Sequence, residues 1–164
     1  MIEALKKFAG EFRLVNIRKT EGMEGAGWLG TIVMSGRVIG DAADYGNGGP
    51  CHIKIMRKED EEALLAHAIA VNKTDFDFER EGMFLENLAN YELSVKRLKA
   101  QAKKKLMQSD ETKLDANGVA ESYSTWKLLD TPENRAKVLA RYPDVKFLND
   151  ELQTWEDLKV GKKR

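Results

Sequence analysis

Three groups of residues have the types and spacing to do chemistry. Cys51 and His52 are adjacent, a pairing that invites an imidazole-activated thiolate nucleophile. Asp41 and Asp44 precede Gly46-Asn47-Gly48-Gly49, a sequence able to form a backbone nest for an anion or to offer carboxylate oxygens to a divalent cation. Lys96, Arg97, Lys99, Lys103, Lys104 and Lys105 follow one another with no acid among them, which suits phosphates or an acidic protein.

Each group meets a physical objection. Neighbouring residues of a strand point to opposite faces, so the side chains of Cys51 and His52 diverge and the nucleophile is not activated. Cys51 shares its face with Ile53 and Ile55 and reads as a small buried hydrophobe. A phosphate loop needs a helix N-terminus after its glycines, whereas here Pro50 and a strand follow. A calcium loop needs oxygen ligands at alternate positions and a distal glutamate, and that spacing is missing. The glycine loop is therefore read first as a hairpin connection with positive φ at Asn47 or Gly48. Its functional reading is a loop displayed to a partner through Asp44, Tyr45 and Asn47. For the lysine run, the plain reading is a solvated helix end that matches the helix dipole. The sharper reading is a ridge of Lys96, Lys99 and Lys103, spaced three and four apart, with Arg97 and Lys104 beside it.

The rest of the composition narrows the classes of function. Lys plus Arg and Asp plus Glu are 27 each, so no overall field draws the chain to nucleic acid or to an acidic membrane, and electrostatic function must come from local patches. The one cysteine excludes an intrachain disulfide. With two histidines besides, it supplies no metal-ligand cluster, and nothing in the sequence calls for a cofactor. His67 is expected to line the polar edge of its helix. Trp28, Trp126 and Trp155 read as core anchors, with Trp155 marking a partner contact if it is exposed. No run of roughly 18 apolar residues occurs, and the first residues do not read as a secretion signal. A cytoplasmic protein without a membrane span is expected.

The elements that must position these groups follow from periodicity and turn chemistry. A short helix at 2–9 precedes a strand at 11–18 carrying Phe12, Leu14, Val15 and Ile17. Ser35-Gly36 joins strands at 28–34 and 37–41 as a two-residue hairpin turn. Residues 50–57 alternate as a half-buried strand, which completes an antiparallel meander. Glu59, Asp60, Glu61 and Glu62 open a helix, and 72–78 is expected to break it as an extended segment burying Phe76 and Phe78. A long helix is expected over 79–108 with Phe84, Leu88, Tyr91, Val95, Leu98 and Ala102 in one stripe. Its acidic first half and basic second half would let two copies pack antiparallel, so a homodimer through this stripe is a third reading of the helix, beside the solvated basic end and the lysine ridge. Residues 109–118 read as a loop, 122–129 as a strand, Thr131-Pro132 as a helix start and 145–148 as a short strand. The expected class is α+β: an antiparallel β-meander with a long amphipathic helix and a C-terminal β-α-β unit. One domain over 1–155 would hold the meander at 11–57, helices at 58–108 and the C-terminal unit at 120–150, with a flexible basic tail at 156–164.

Trp28-Leu29-Gly30-Thr31-Ile32, Gly36-Arg37-Val38-Ile39-Gly40 and Gly46-Asn47-Gly48-Gly49-Pro50 together resemble small accessory proteins encoded by bacteriophages and prophages. The resemblance covers the meander and carries no active site with it. It implies a cytoplasmic protein acting in infected bacteria. The function expected is a non-enzymatic binding protein, a phage-encoded inhibitor or modulator of a host defence or replication protein, acting on a bacterial protein partner. Two alternatives stand beside it: nucleic-acid binding through the basic helix end, and capture of a small molecule or nucleotide at the glycine loop.

Overall fold

The computed structural model describes residues 1–72 and 78–160. The chain divides into two compact units. One comprises Met1–Lys7 and Ser94–Glu156; the other comprises Phe8–Leu93 and the chain end that begins at Asp157. Helices α1 (Ile2–Ala9) and α3 (Arg80–Ala102) each contribute residues to both units.

The second unit is built on the expected meander. Strands β1 (Phe12–Gly22), β2 (Gly25–Met34), β3 (Arg37–Asp44) and β4 (His52–Ile55) form an antiparallel sheet in sequence order. The Ser35-Gly36 turn has φ of 49° and 78°, the paired positive values that match the twist of a two-residue hairpin. Phe12, Leu14, Trp28 and Ile32 are buried. Phe84 of α3 meets Phe8, Phe12 and His67 with ring centroids 5.0–6.0 Å apart. Helix α2 (Lys58–Val71) buries Leu64 and Ala68, and its Asp60 receives both terminal nitrogens of Arg37 at 2.7 and 2.9 Å. The Trp28 indole N–H lacks a hydrogen-bond partner among the described residues. Of the expected break at 72–78, residues 73–77, Phe76 included, lie outside the described residues; Phe78 is 64% exposed and not buried.

The first unit departs from the expected β-α-β arrangement. Helix α3 stops at Ala102, and β5 (Leu106–Ser109) pairs antiparallel with β6 (Tyr123–Trp126). The lysines favour helix intrinsically. Burial of Leu106 and Met107 and the ladder to β6 override that preference. Helix α4 (Pro132–Arg141) begins as expected, with Asn134 N–H donating to the Thr131 hydroxyl at 3.2 Å. Residues 145–148 form no strand. Leu148 instead opens α5 (Leu148–Gln153), whose Leu148 and Leu152 are buried one turn apart and whose first turn carries Asp150 and Glu151. Of the tail expected to be flexible, 161–164 lie outside the described residues. The α+β class holds, and no described helix is long and apolar enough to cross a membrane.

Arg135 ties this unit together. Its guanidinium donates to Asp130 and Asp150 at 2.8 Å and lies 5.0 Å from the Phe147 ring centroid. The hydrogen bond from Arg135 holds the Asp130 carboxyl below the usual carboxylate range. A carboxyl depressed in the fold stabilises above its unfolded pKa of about 4, and that contribution disappears as pH falls through the folded value. Arg135→Met should cost about 2 kcal/mol at neutral pH, the scale of a charge-assisted hydrogen bond. The difference between variant and wild type in urea unfolding should shrink below about pH 4. An equal difference at pH 7 and pH 3 would contradict this account.

Candidate functional site

The glycine loop between β3 and β4 is fastened to the tip of the β1–β2 hairpin. Met23 N–H donates to Asn47 Oδ1 at 3.0 Å, and Glu24 N–H donates to the Gly46 carbonyl at 2.8 Å. Within the loop, Gly46 N–H donates to Asp44 Oδ1 at 2.8 Å. The backbones approach so closely that a methyl group on Gly27 would fall inside the Asp44 carbonyl oxygen, and one on Gly22 inside that of Tyr45. Most of the 13 glycines lie between residues 22 and 50, and this interlock explains several of them.

The three residues expected to meet a partner therefore divide. Asp44 caps the turn and Asn47 fastens the loop, so their oxygens at these bonds are already engaged. Tyr45 is displayed, 50% exposed, with its ring tilted against His52 at 5.2 Å. Sequence reading missed Met23, which stands 97% exposed at the hairpin tip beside the loop. Its signal was an apolar residue between charged and glycine neighbours, Gly22-Met23-Glu24-Gly25.

A second feature lies on one face of the same sheet, a depression of about 660 Å³ lined by Arg18, Leu29, Tyr45, His52 and Lys54 among others. Register places Arg18, Leu29, Ala43 and His52 in one cross-strand row, and Val15, Thr31, Asp41 and Lys54 in the next. A β-bulge between Val15 and Arg18 makes this alignment. Without the extra residue, Val15 and Arg18 would point to opposite faces; with it they share one. Asn16 takes φ 53° at the bulge, a conformation asparagine tolerates better than most residues. The trace of the bulge in the sequence is the spacing of three between Leu14 and Ile17, which reach the same side of Gly30 where strict alternation would separate them.

The expected lysine ridge does not form as a continuous feature. Lys99 is half-buried and donates to the Trp155 carbonyl, and Lys103 and Lys104 lie past the end of α3 in a turn. Lys96, Arg97, Lys103 and Lys104 are exposed. Of the stripe expected to form a dimer seam, Phe84, Leu88, Val95 and Leu98 are buried within the single chain, while Tyr91 and Ala102 are half-buried. Trp155 is buried.

Cys51 lies just before β4 and is half-buried, while His52 opens the strand and is exposed. Burial pushes the Cys51 thiol up to about 11, with the Asp44 charge adding to the shift, so it stays protonated at neutral pH. His67 does not line a polar edge. Its Nε2 lies 2.8 Å from the Phe8 carbonyl, and its ring packs against Phe12 and Phe84. Among the described residues, no group of three or more His, Cys, Asp or Glu side chains could hold a metal ion. Comparison of the chain with protein-family models, with curated proteins and with solved structures finds no match.

Proposed function

We propose that this is a non-enzymatic binding protein that recognises a macromolecular partner through the knob made by the β1–β2 tip and the glycine loop. The observation that carries this reading is the fastening of the two loops, which presents Met23 and Tyr45 on a backbone held by three hydrogen bonds. Tyrosine and methionine are enriched in protein interfaces, and a preorganised loop loses little entropy on binding. The resemblance of the meander to phage accessory proteins makes a bacterial protein the partner class, the cytoplasm of an infected cell the setting, and steric or competitive inhibition of a host defence or replication protein the mode of action.

Affinity capture from a bacterial lysate with the wild-type chain should enrich a protein that Tyr45→Ala and Met23→Ala each fail to retain. With that partner purified, each variant should bind about tenfold more weakly, the scale of an interface anchor. Unchanged affinity in both variants would remove the knob as the recognition surface.

A second reading rests on the exposed cations Lys96, Arg97, Lys103 and Lys104, for which no side-chain ion pair is found among the described residues. It assigns nucleic-acid binding to this end of α3. Such binding would weaken steeply with salt, and the double charge reversal Lys103→Glu/Lys104→Glu would abolish it. Retardation of neither duplex nor single-stranded nucleic acid at low salt would dispose of it.

A further inference from the structure

We propose that the depression on the four-stranded sheet is a binding site for a free nucleotide, a purine nucleoside di- or triphosphate. This goes beyond the partner-binding knob and uses a different set of residues, with Tyr45 alone in common. The argument starts from the row Arg18, Leu29, Ala43 and His52. It crosses all four strands, three interstrand spacings or about 14 Å between its end Cα positions. At the β4 end, His52 and Tyr45 offer two aromatic rings in contact, an edge on which a planar base can stack. Leu29 and Ala43 make an apolar middle that suits a sugar face. At the β1 end stands the exposed Arg18, brought to this face by the bulge, with a fork of donors that matches phosphate oxygens.

Charge sets the direction of the ligand. Arg18 and Lys54 make no hydrogen bond or ion pair with a described residue, so neither charge is spent inside the fold. The acid on this face, Asp41, accepts from the Thr31 hydroxyl at 3.3 Å and sits on β3 directly opposite Lys54. Phosphates are thereby favoured at the β1 end, two strands from Asp41, and the base at the β4 end. The volume of about 660 Å³ falls within the range of small-molecule sites. The glycine loop engages the hairpin tip through its acceptors, the Gly46 carbonyl and Asn47 Oδ1, and the proposed capture site is the sheet beside it.

Isothermal titration calorimetry on the full chain tests this with ATP and GTP, and with adenosine and inorganic pyrophosphate as the two halves of the ligand. Saturable binding of ATP or GTP is expected, with each half bound at least about tenfold more weakly. Arg18→Gln and His52→Ala, both at exposed positions, should each weaken nucleotide binding about tenfold while leaving the thermal unfolding of the protein unchanged. No heat and no thermal shift at millimolar nucleotide would overturn the proposal. So would pyrophosphate binding as tightly as ATP, or binding of a single-stranded oligonucleotide without binding of either mononucleotide. Loss in only one of the two variants would place the ligand off the row and overturn it equally.

Discussion

Gly27→Ala should destabilise the Phe8–Leu93 unit by about 3 kcal/mol, at the upper end of the cost of overpacking. The added methyl would overlap the backbone oxygen of Asp44, and the Thr20 hydroxyl lies on the same side. Neither can yield cheaply. The Asp44 carbonyl belongs to the end of β3, opposite Trp28 in the ladder, and it accepts from the Thr20 hydroxyl at 3.4 Å. Relief would come only by opening the end of the β2–β3 pairing or by lifting the glycine loop from the hairpin tip. Gly49→Ala is the matched control on the same loop: open space surrounds a methyl there, and the change should stay within about 0.5 kcal/mol. Urea unfolding followed by tryptophan fluorescence measures both. Equal stability of the two variants would mean that the interlock yields easily, and the rigid presentation of Met23 and Tyr45 would lose its basis.

The second large effect is expected at Asn149, a buried polar residue 3% exposed. Its Oδ1 accepts from Met107 N–H at 2.8 Å, while Nδ2 donates to the carbonyls of Ala102 and Lys105 at 3.1 and 2.9 Å. One side chain thus satisfies the end of α3, the turn after it and the start of β5. Asn149→Ala would strand these groups away from water and should cost about 3 kcal/mol. Asn149→Asp keeps the acceptor for Met107 but loses both donors, and faces two carbonyl oxygens with a negative charge. It should be no better than alanine. Hydrogen exchange at the Met107 amide gives a local readout: slow in the wild type and accelerated in both variants. A stability loss under 1 kcal/mol in the alanine variant, with Met107 still protected, would show that another group caps the end of α3.

How far the sequence was legible depends on the range of the interaction involved. The Ser35-Gly36 turn, the alternation of Cys51, Ile53 and Ile55, and the Thr131 cap all work through neighbours a few residues away, and all appear as expected. The end of α3 was misread because lysine favours helix, while the groups that stop it, Asn149 and β6, lie more than twenty residues further on. Helix α5 could have been found: Leu148 and Leu152 sit one turn apart behind Asp150 and Glu151. The β-branched Val145 and the aromatic Phe147 pulled the reading toward a strand.

The candidate sites show the same division. Sequence singled out Tyr45 and the cations Lys96, Arg97, Lys103 and Lys104, because exposed polar and aromatic types announce themselves by composition. It could not show that Asn47 and Asp44 fasten the loop, that Lys99 is tied to the Trp155 carbonyl, or that Phe84, Leu88, Val95 and Leu98 are buried within the single chain.

By itself, then, the sequence determined the α+β class, the meander and its turns, since periodicity and backbone conformational preference act locally and are written residue by residue. Tertiary structure alone decided what the glycines are for and which side chains reach solvent together. Gly27 is required by an oxygen seventeen residues away, and Arg18 stands in line with His52 only because a bulge moves it to the other face. Such relations depend on register and close approach between distant segments, and a sheet face is assembled across strands, not along one.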